Sequence, residues 1–267
     1  DKLNDLFIRG ILGDQNKSVI RMQGPIPDVD QADDGQQNVP DLIVPPFSVT
    51  CREQSSKRWE ASFQHPFVQS LVDGSLPEER FRFYQMQDAR YLEAYADVCS
   101  IISTRISDPD IKLWFIEGAR MALVVEKELH SEYGKQLGYS PSDVAALELS
   151  PSNRAYQNHM LAAATNGSLL ESLAALAPCP WLYTDIGVRI LAEMGTIPVN
   201  HPFGDWLATY ADPVFITYTN ELLAHMERIA EGVGSEVKTK AMHGFDLSVR
   251  YEWMFWDQAW NLQSWPV

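Results

Sequence analysis

Three side chains in this sequence combine nucleophilic or acidic chemistry with apolar surroundings. Cys179 stands in Ala-Pro-Cys-Pro-Trp-Leu-Tyr, where Pro180 disfavours ordinary helical geometry at the cysteine and a proline within a helix kinks the chain. Glu252 lies among aromatic residues in Tyr-Glu-Trp-Met-Phe-Trp-Asp, and Asp88 precedes Tyr91 by one helical turn. Partial burial raises the pKa of such an acid, as a general acid near neutral pH requires. A thiol and a carboxylic acid can together add to a substrate and protonate its leaving group.

Each of these residues also has a purely structural interpretation. Cys179 can be a small buried residue at a helix bend, and Glu252 can face water on the exposed side of its helix. Cys99 falls within a regular amphipathic helix and is assigned to the core, whereas Cys51 has no chemical neighbours in the sequence. Three scattered cysteines without a CxxC pair favour neither a disulfide framework nor a zinc site. We therefore expect a reducing, cytoplasmic compartment.

A metal centre is the second chemistry that a helical chain with glutamates and histidines suggests. Glu126, Glu128 and His130 share one predicted helix. Di-iron bundles need a Glu-x-x-His pair on each of two helices, together with further inward glutamates. Lys127 occupies the position three before His130, and no second Glu-x-x-His occurs. We predict no metal and no cofactor, and assign these residues to a solvated face with ion pairs.

The elements that must position these residues are helices. The apolar spacing predicts an all-α domain of about eight helices, and no alternating β-branched run of strand length competes. The predicted segments are 51–72 with a break at His65-Pro66, 77–106, 108–137, 150–166, 168–194 disturbed by Pro178 and Pro180, 203–210, 212–234 and 235–260.

The first 50 residues differ in composition from the rest of the chain. They hold five of the sixteen prolines and two aromatic residues, Phe7 and Phe47. This composition is typical of an extended arm or linker. We expect an N-terminal arm over residues 1–50 that buries Phe7, Ile8 and Phe47 on the helical domain of residues 51–267 or on a neighbouring subunit.

The charge of the chain limits its partners. The 21 basic and 36 acidic residues among 267 give a formal net charge of −15. Nucleic-acid affinity depends on Lys and Arg neutralising phosphates, so we expect no nucleic acid and no anionic membrane surface as partner. No run of 18 apolar residues is long enough to span a bilayer, and the first residues show no signal-peptide pattern.

Three motifs in register resemble the TenA family of thiaminase II enzymes. They are the stretch from Trp59 to Asp88, the Pro178-Cys-Pro-Trp-Leu-Tyr183 segment, and Tyr251-Glu-Trp-Met-Phe-Trp256. The resemblance covers about residues 51–262 and preserves order and spacing. It implies a haem-oxygenase-like helical bundle without haem, commonly a tetramer. It also implies hydrolysis of thiamine or of 4-amino-5-aminomethyl-2-methylpyrimidine, yielding hydroxymethylpyrimidine for thiamine salvage.

The resemblance also assigns roles to particular residues. Cys179 resembles the family's nucleophile, which places the chain in the cysteine-bearing branch, and Glu252 resembles the acid/base. Asp88 resembles the acid that binds the pyrimidine and supports the thiol. Four tyrosines are expected to bind substrate: Tyr91, Tyr156, Tyr183 and Tyr210. The 50-residue arm has no counterpart in the minimal family.

Two other functions share this helical fold. A non-catalytic binding or regulatory protein would hold a pyrimidine without turning it over, and the intact set of Cys179, Glu252 and Asp88 favours an enzyme over that alternative. An oxidase or oxygenase would need iron ligands, whose sequence pattern is missing. Direct DNA binding, which the family's historical label as transcriptional regulators suggests, conflicts with the charge of −15 and the lack of a basic helix.

Overall fold

Twelve α-helices account for the regular structure of this computed structural model. It describes residues 39–267, except for the side chains of residues 125–132. No strand occurs within that range. The helices are α1 (Pro46–Gln54), α2 (Ser56–Phe63), α3 (Pro66–Asp73), α4 (Glu78–Arg105), α5 (Pro109–Leu137), α6 (Pro141–Ala146), α7 (Pro151–Asn166), α8 (Leu169–Leu176), α9 (Pro178–Met194), α10 (Gly204–Tyr210), α11 (Pro213–Glu231) and α12 (Ser235–Asn261).

The predicted all-α class is confirmed, and the helix count differs for local reasons. The segment predicted over 51–72 forms three helices, α1 to α3, and 168–194 forms two, α8 and α9. The short helix α6 was not predicted; it is held by a capping box in which Ser140 and Asp143 bond each other's backbone N–H groups. At α3 the His65 ring accepts from the backbone N–H of Phe67, which starts a new helix at Pro66.

The expected kink at Cys179 is instead a boundary between two helices. Pro178 and Pro180 have no N–H to donate, so α8 ends at Leu176 and α9 begins at Pro178. The three residues from Pro178 to Pro180 form the first turn of α9, where a missing N–H costs no helical hydrogen bond. Cys179 therefore lies at a helix N-terminus and not at a bend inside a helix.

The boundary of the N-terminal arm also differs from the expectation. Residues 46–50 were assigned to the arm, yet they form the start of α1, because Pro46 presets helical geometry at the first position. Phe47 is buried and donates its backbone N–H to Glu227. Residues 39–45 are extended, and Asn220 of α11 bonds the backbone of Asp41 and Ile43. Phe7 and Ile8 lie outside the described residues.

Two helix groups build the core. The long helices α4 and α5 are joined by residues 106–108 and pack along each other, so they run antiparallel. Helix α12 crosses the other side of α4 and packs on α7, α8 and α9. Aromatic side chains fill the space between these elements: Trp256 stacks on both Tyr84 and Phe67, which are tilted against each other. Within the described residues, no helix is both long and apolar enough to cross a membrane.

Candidate active site

Helix α9 presents the thiol and one tyrosine on the same face. Cys179 and Tyr183 are four residues apart, so their side chains are neighbours on the helix surface. Cys179 is half-buried, and Tyr183 is buried with its hydroxyl 2.8 Å from that of Tyr84. The N-terminal turn of a helix favours a thiolate through the backbone dipole. The two prolines that start α9 thus place the thiol of Cys179 in the first turn of a helix.

Helix α4 supplies the carboxyl group that faces the thiol across a cavity. Asp88, Leu92 and Tyr95 recur at helical spacing and line one wall. The carboxyl of Asp88 is buried, and none of the described side chains donates a hydrogen bond to it. Burial alone raises the pKa of Asp88 to about 7. At neutral pH this group therefore exists both as an acid and as a base.

Helix α12 turns Glu252 inward. Its core-facing positions include Phe245, Val249 and Trp256, and Glu252 falls in the same stripe with 2% of its surface exposed. The alternative in which Glu252 faces water is therefore wrong. Burial raises the pKa of Glu252 to about 8; the hydrogen bond from Tyr156 opposes this shift, and the charge of Asp88 adds to it. Glu252 is consequently a protonated acid at pH 7.

The tyrosines form a layer between these groups. The hydroxyl of Tyr156 donates to Oε1 of Glu252 over 2.6 Å, and the ring of Tyr91 packs on Tyr156 with centroids 5.1 Å apart. Burial and the charge of Glu252 raise the pKa of the Cys179 thiol, whereas a hydrogen bond with Tyr91 lowers it. The resting thiol is therefore neutral, and it needs a proton acceptor to become a nucleophile.

The predicted site residues divide into a cavity wall and a layer behind it. A cavity of about 360 Å³ has Asp88, Cys179, Tyr183 and Tyr210 in its lining. Tyr91, Tyr156 and Glu252 are not among its lining residues, but each interacts electrostatically with Cys179. The fold thus brings all seven predicted residues together: four line the cavity, and the other three lie near the thiol outside that lining.

Helix α10 completes the wall, and one glycine decides how closely it can approach. Tyr210 contacts Tyr183 with ring centroids 4.7 Å apart, and Trp206 packs on both rings. Gly187, one turn after Tyr183, lies against the backbone of Tyr210 and Ala211, so that any Cβ at Gly187 would clash with it. Only glycine allows α10 to lie this close to α9.

Several cavity residues were not predicted from the sequence. One of them is Trp206 of α10. The others lie on the facing stripes of α5 and α11: Trp114, Glu117, Gly118, Met121, Ala122, Val214, Phe215, Thr217, Tyr218 and Glu221. The spacing within each stripe repeats every three or four residues, which the sequence does contain. That pattern predicts a buried helix face, however, and does not distinguish a packed core from a cavity wall.

The metal site considered from the sequence would be formed by side chains that the structure does not describe. The side chains of Glu126, Glu128 and His130 fall within residues 125–132. Among the side chains that are described, no group of three or more His, Cys, Asp or Glu could hold a metal ion. The three cysteines are unpaired.

Comparison with known proteins agrees with this arrangement. The model of the TENA/THI-4/PQQC family matches residues 52–262. This chain belongs to that family. Two of its relatives are named aminopyrimidine aminohydrolase: the protein of Halalkalibacterium halodurans, 36% identical over 82% of this chain and 97% of its own length, and that of Bacillus subtilis, 34% identical over 82% and 92%.

Solved structures show the same family fold. A TenA homologue protein from P. horikoshii OT3 superposes with a TM-score of 0.72 at 29% identity, covering 82% of this chain and 99% of its own. A domain described as having a heme oxygenase-like fold, from Shewanella denitrificans, superposes with a TM-score of 0.59 at 14% identity, covering 80% and 92%. The expected haem-oxygenase-like architecture and the TenA resemblance are both confirmed.

Proposed function

We propose that this protein is an aminopyrimidine aminohydrolase of thiamine salvage, a thiaminase II. In this proposal it hydrolyses thiamine or 4-amino-5-aminomethyl-2-methylpyrimidine to hydroxymethylpyrimidine, with Cys179 as nucleophile. One observation carries the proposal: the thiol of Cys179 and the carboxyl of Asp88 share the wall of one aromatic cavity, and Glu252 is near enough to act on the pKa of the thiol. The names of its relatives from two bacilli support the same reaction.

Substrate binding follows from the composition of the cavity. A planar heteroaromatic ring suits walls built from Tyr183, Tyr210 and Trp206, because aromatic rings pack favourably on one another. Asp88 receives no hydrogen bond from the described side chains, and its carboxyl can accept one from the 4-amino group of the pyrimidine. That bond also orients the ring carbon that the thiol attacks.

The first chemical step begins with proton transfer. Asp88, with a pKa of about 7, accepts the proton of Cys179, and the thiolate adds to an electron-poor ring carbon of the pyrimidine. The ring electrons move toward the exocyclic methylene group and expel the amine or the thiazole. Glu252, protonated at neutral pH, donates a proton to a departing amine.

The second step regenerates the thiol. After departure of an amine, Glu252 is a carboxylate and takes a proton from water, and the oxygen adds to the exocyclic methylene carbon. After departure of the neutral thiazole, Glu252 still holds its proton, so the proton of the attacking water is released to solvent. The bond between Cys179 and the ring then breaks, which restores the aromatic pyrimidine, and the proton on Asp88 returns to the sulfur. The sum of the two steps is hydrolysis: the aminomethyl substrate and one water give the alcohol and ammonia, whereas the thiamine cation and one water give the alcohol, the neutral thiazole and a proton.

Quaternary structure and compartment are parts of the same proposal. We propose a homotetramer, supported by an apolar stripe on the surface of α5 in which Leu113, Ile116 and Leu123 are exposed. We also propose a cytoplasmic location and no metal or cofactor. The three unpaired cysteines support a reducing compartment. We also propose that the residues before α1 form the predicted N-terminal arm, which lies on the helical domain or on a neighbouring subunit.

The decisive experiment compares variants on both substrates with one preparation. Cys179→Ser is expected to remove nearly all turnover and to retain hydroxymethylpyrimidine binding, because the aromatic walls are unchanged. Glu252→Gln is expected to slow the aminomethyl pyrimidine more than thiamine, because the thiazole leaves as a neutral ring and needs no proton. Full activity of Cys179→Ser would exclude the covalent mechanism.

Equal losses on both substrates in Glu252→Gln would argue against Glu252 as the leaving-group acid. A wild-type protein that binds hydroxymethylpyrimidine and hydrolyses neither substrate would instead indicate the non-catalytic binding protein. Glu236→Gln provides a matched control, since Glu236 is an exposed acid of α12 that pairs with Lys240.

A further inference from the structure

The cavity extends well beyond the groups that react. Asp88 and Cys179 line it from α4 and α9, and a second part of its lining comes from α5 and α11. The outer chamber is defined here by Trp114, Phe215, Tyr218 and Glu221, all of which line the same cavity of about 360 Å³. A volume of that size is within the range that encloses a whole small-molecule ligand, so it has room for more than a single pyrimidine ring.

The outer chamber presents aromatic faces in a fixed arrangement. Trp114 and Tyr218 stack with centroids 4.8 Å apart and planes inclined by 13°. The indole N–H of Trp114 donates to Oε2 of Glu221 over 2.7 Å, which holds the ring and places a carboxylate beside it. Phe215 lies next to Tyr218, with centroids 6.3 Å apart. Such faces attract cations through the ring quadrupole, most strongly at tryptophan.

The chamber also carries a carboxylate, Glu221, that forms no salt bridge with a described Lys or Arg; its charge raises the pKa of His225, but burial has the larger effect and lowers that pKa. Both Glu117 and Glu221 line the same cavity. Glu117 is bound by the guanidinium of Arg120, which donates to it through Nε and Nη2. Glu221 forms no salt bridge with a described side chain and accepts from the neutral indole of Trp114. The carboxylate of Glu221 is therefore available to a cationic ligand.

We propose that the outer chamber binds the departing half of the substrate when that half is a planar aromatic cation, and so determines specificity for the thiazolium-bearing substrate. The inference rests on the proposed function and names the positions of the two halves: pyrimidine beside Asp88 and Cys179, thiazolium between the aromatic faces and Glu221. The leaving group of the aminomethyl substrate is a single nitrogen, which does not extend into the outer chamber. Only thiamine then depends on these residues.

Two variants test this dependence kinetically. Glu221→Gln removes the charge and keeps an oxygen that can accept from Trp114, so the indole stays in place. Trp114→Leu removes the largest aromatic face. Each is expected to raise KM for thiamine by about three- to ten-fold, the size of a partly exposed cation–π or ion-pair contact, with KM for the aminomethyl pyrimidine unchanged. Glu236→Gln, outside the cavity, is the control.

A binding measurement separates this inference from the reaction itself. The probes are N-methylthiazolium, a cation, and thiazole, its neutral counterpart of similar shape, titrated calorimetrically against wild-type protein and Glu221→Gln. Preference for the cation in the wild type, lost in Glu221→Gln, supports the chamber even when neither substrate is hydrolysed. Equal binding of both probes, or KM values that shift equally for both substrates, overturns it.

Discussion

The hydroxyl of Tyr156 donates a 2.6 Å hydrogen bond to Oε1 of Glu252, and both side chains are buried. The bond favours the charged carboxylate, whereas burial favours the neutral acid, and burial prevails, so the pKa of Glu252 is raised to about 8. One hydrogen bond thus limits how far the pKa of Glu252 rises.

Tyr156→Phe tests this relationship through the pH dependence of kcat/KM. The base Asp88 must be ionised and the acid Glu252 protonated, so we expect a bell-shaped profile with limbs near pH 7 and pH 8. Removing the hydroxyl removes the hydrogen bond that lowers the pKa of Glu252. The alkaline limb should move upward by about half to one pH unit, from the ~0.5–1.5 kcal/mol of one hydrogen bond. An unchanged alkaline limb would mean that Tyr156 does not affect the pKa of the acid.

Glu252→Gln should stabilise the fold at alkaline pH. The pKa of Glu252 is raised from 4.5 in the unfolded chain to about 8 in the folded protein, so the unfolded state binds fewer protons between these values. The free energy of unfolding of the wild type therefore falls as the pH rises from 4.5 to 8, by up to ~1.4 kcal/mol per unit from this one group. The amide of the Glu252→Gln variant does not titrate, so the free energy of unfolding of this variant does not fall for that reason.

Denaturant titrations at pH 5, 7 and 9 measure the effect. The advantage of Glu252→Gln over wild type should be smallest at pH 5 and largest at pH 9. Glu236→Gln, in which an exposed acid with a lowered pKa is replaced, should show no such gain. A constant difference across the three pH values would mean that Glu252 is not a buried titrating acid.

Tyr183→Phe distinguishes substrate binding from packing. The hydroxyls of Tyr183 and Tyr84 lie 2.8 Å apart, and Tyr183 lines the cavity while Tyr84 does not. Loss of a hydrogen bond to the pyrimidine should lower kcat/KM by roughly 5- to 30-fold, equivalent to ~1–2 kcal/mol. Tyr84→Phe removes the same hydrogen bond between the two hydroxyls from its other side, and it should leave kcat/KM near the wild-type value. Equal effects of the two variants would assign Tyr183 to packing.

Gly187→Ala should destabilise the protein and displace Tyr210. The added Cβ would collide with the backbone of Tyr210 and Ala211, and backbone cannot rotate away as a flexible side chain can. We expect a loss of about 1–3 kcal/mol in the free energy of unfolding, with KM raised because the cavity wall moves. Gly244→Ala is the matched control: Gly244 lies inside α12, and a Cβ there meets nothing within 4 Å.

The control should change stability in the opposite direction. Alanine is favoured over glycine in a helix interior by up to ~1 kcal/mol, so the melting temperature of Gly244→Ala should rise. If both variants change the melting temperature alike, close approach of α10 to α9 does not explain the glycine at 187.

The sequence by itself determined the helical class, most helix ends and the candidates for the reactive groups. Apolar spacing, the cap at Asp108 and the glycine after Leu137 define α5 without any tertiary information, because these signals act within a few residues. Likewise, the motif around Cys179 and the motif around Glu252 are readable as residues in order, and they are enough to recognise the family.

Only the tertiary structure decided what those groups do to one another. The raised pKa of Glu252 results from its burial, which outweighs the hydrogen bond from Tyr156, a residue 96 positions away in the chain. The outer chamber exists because Trp114 of α5 meets Tyr218 of α11, and each helix alone carries only an apolar stripe. Burial, pKa and cavity shape arise from contacts between distant segments, and the residues of one helix do not specify which other helix will face them.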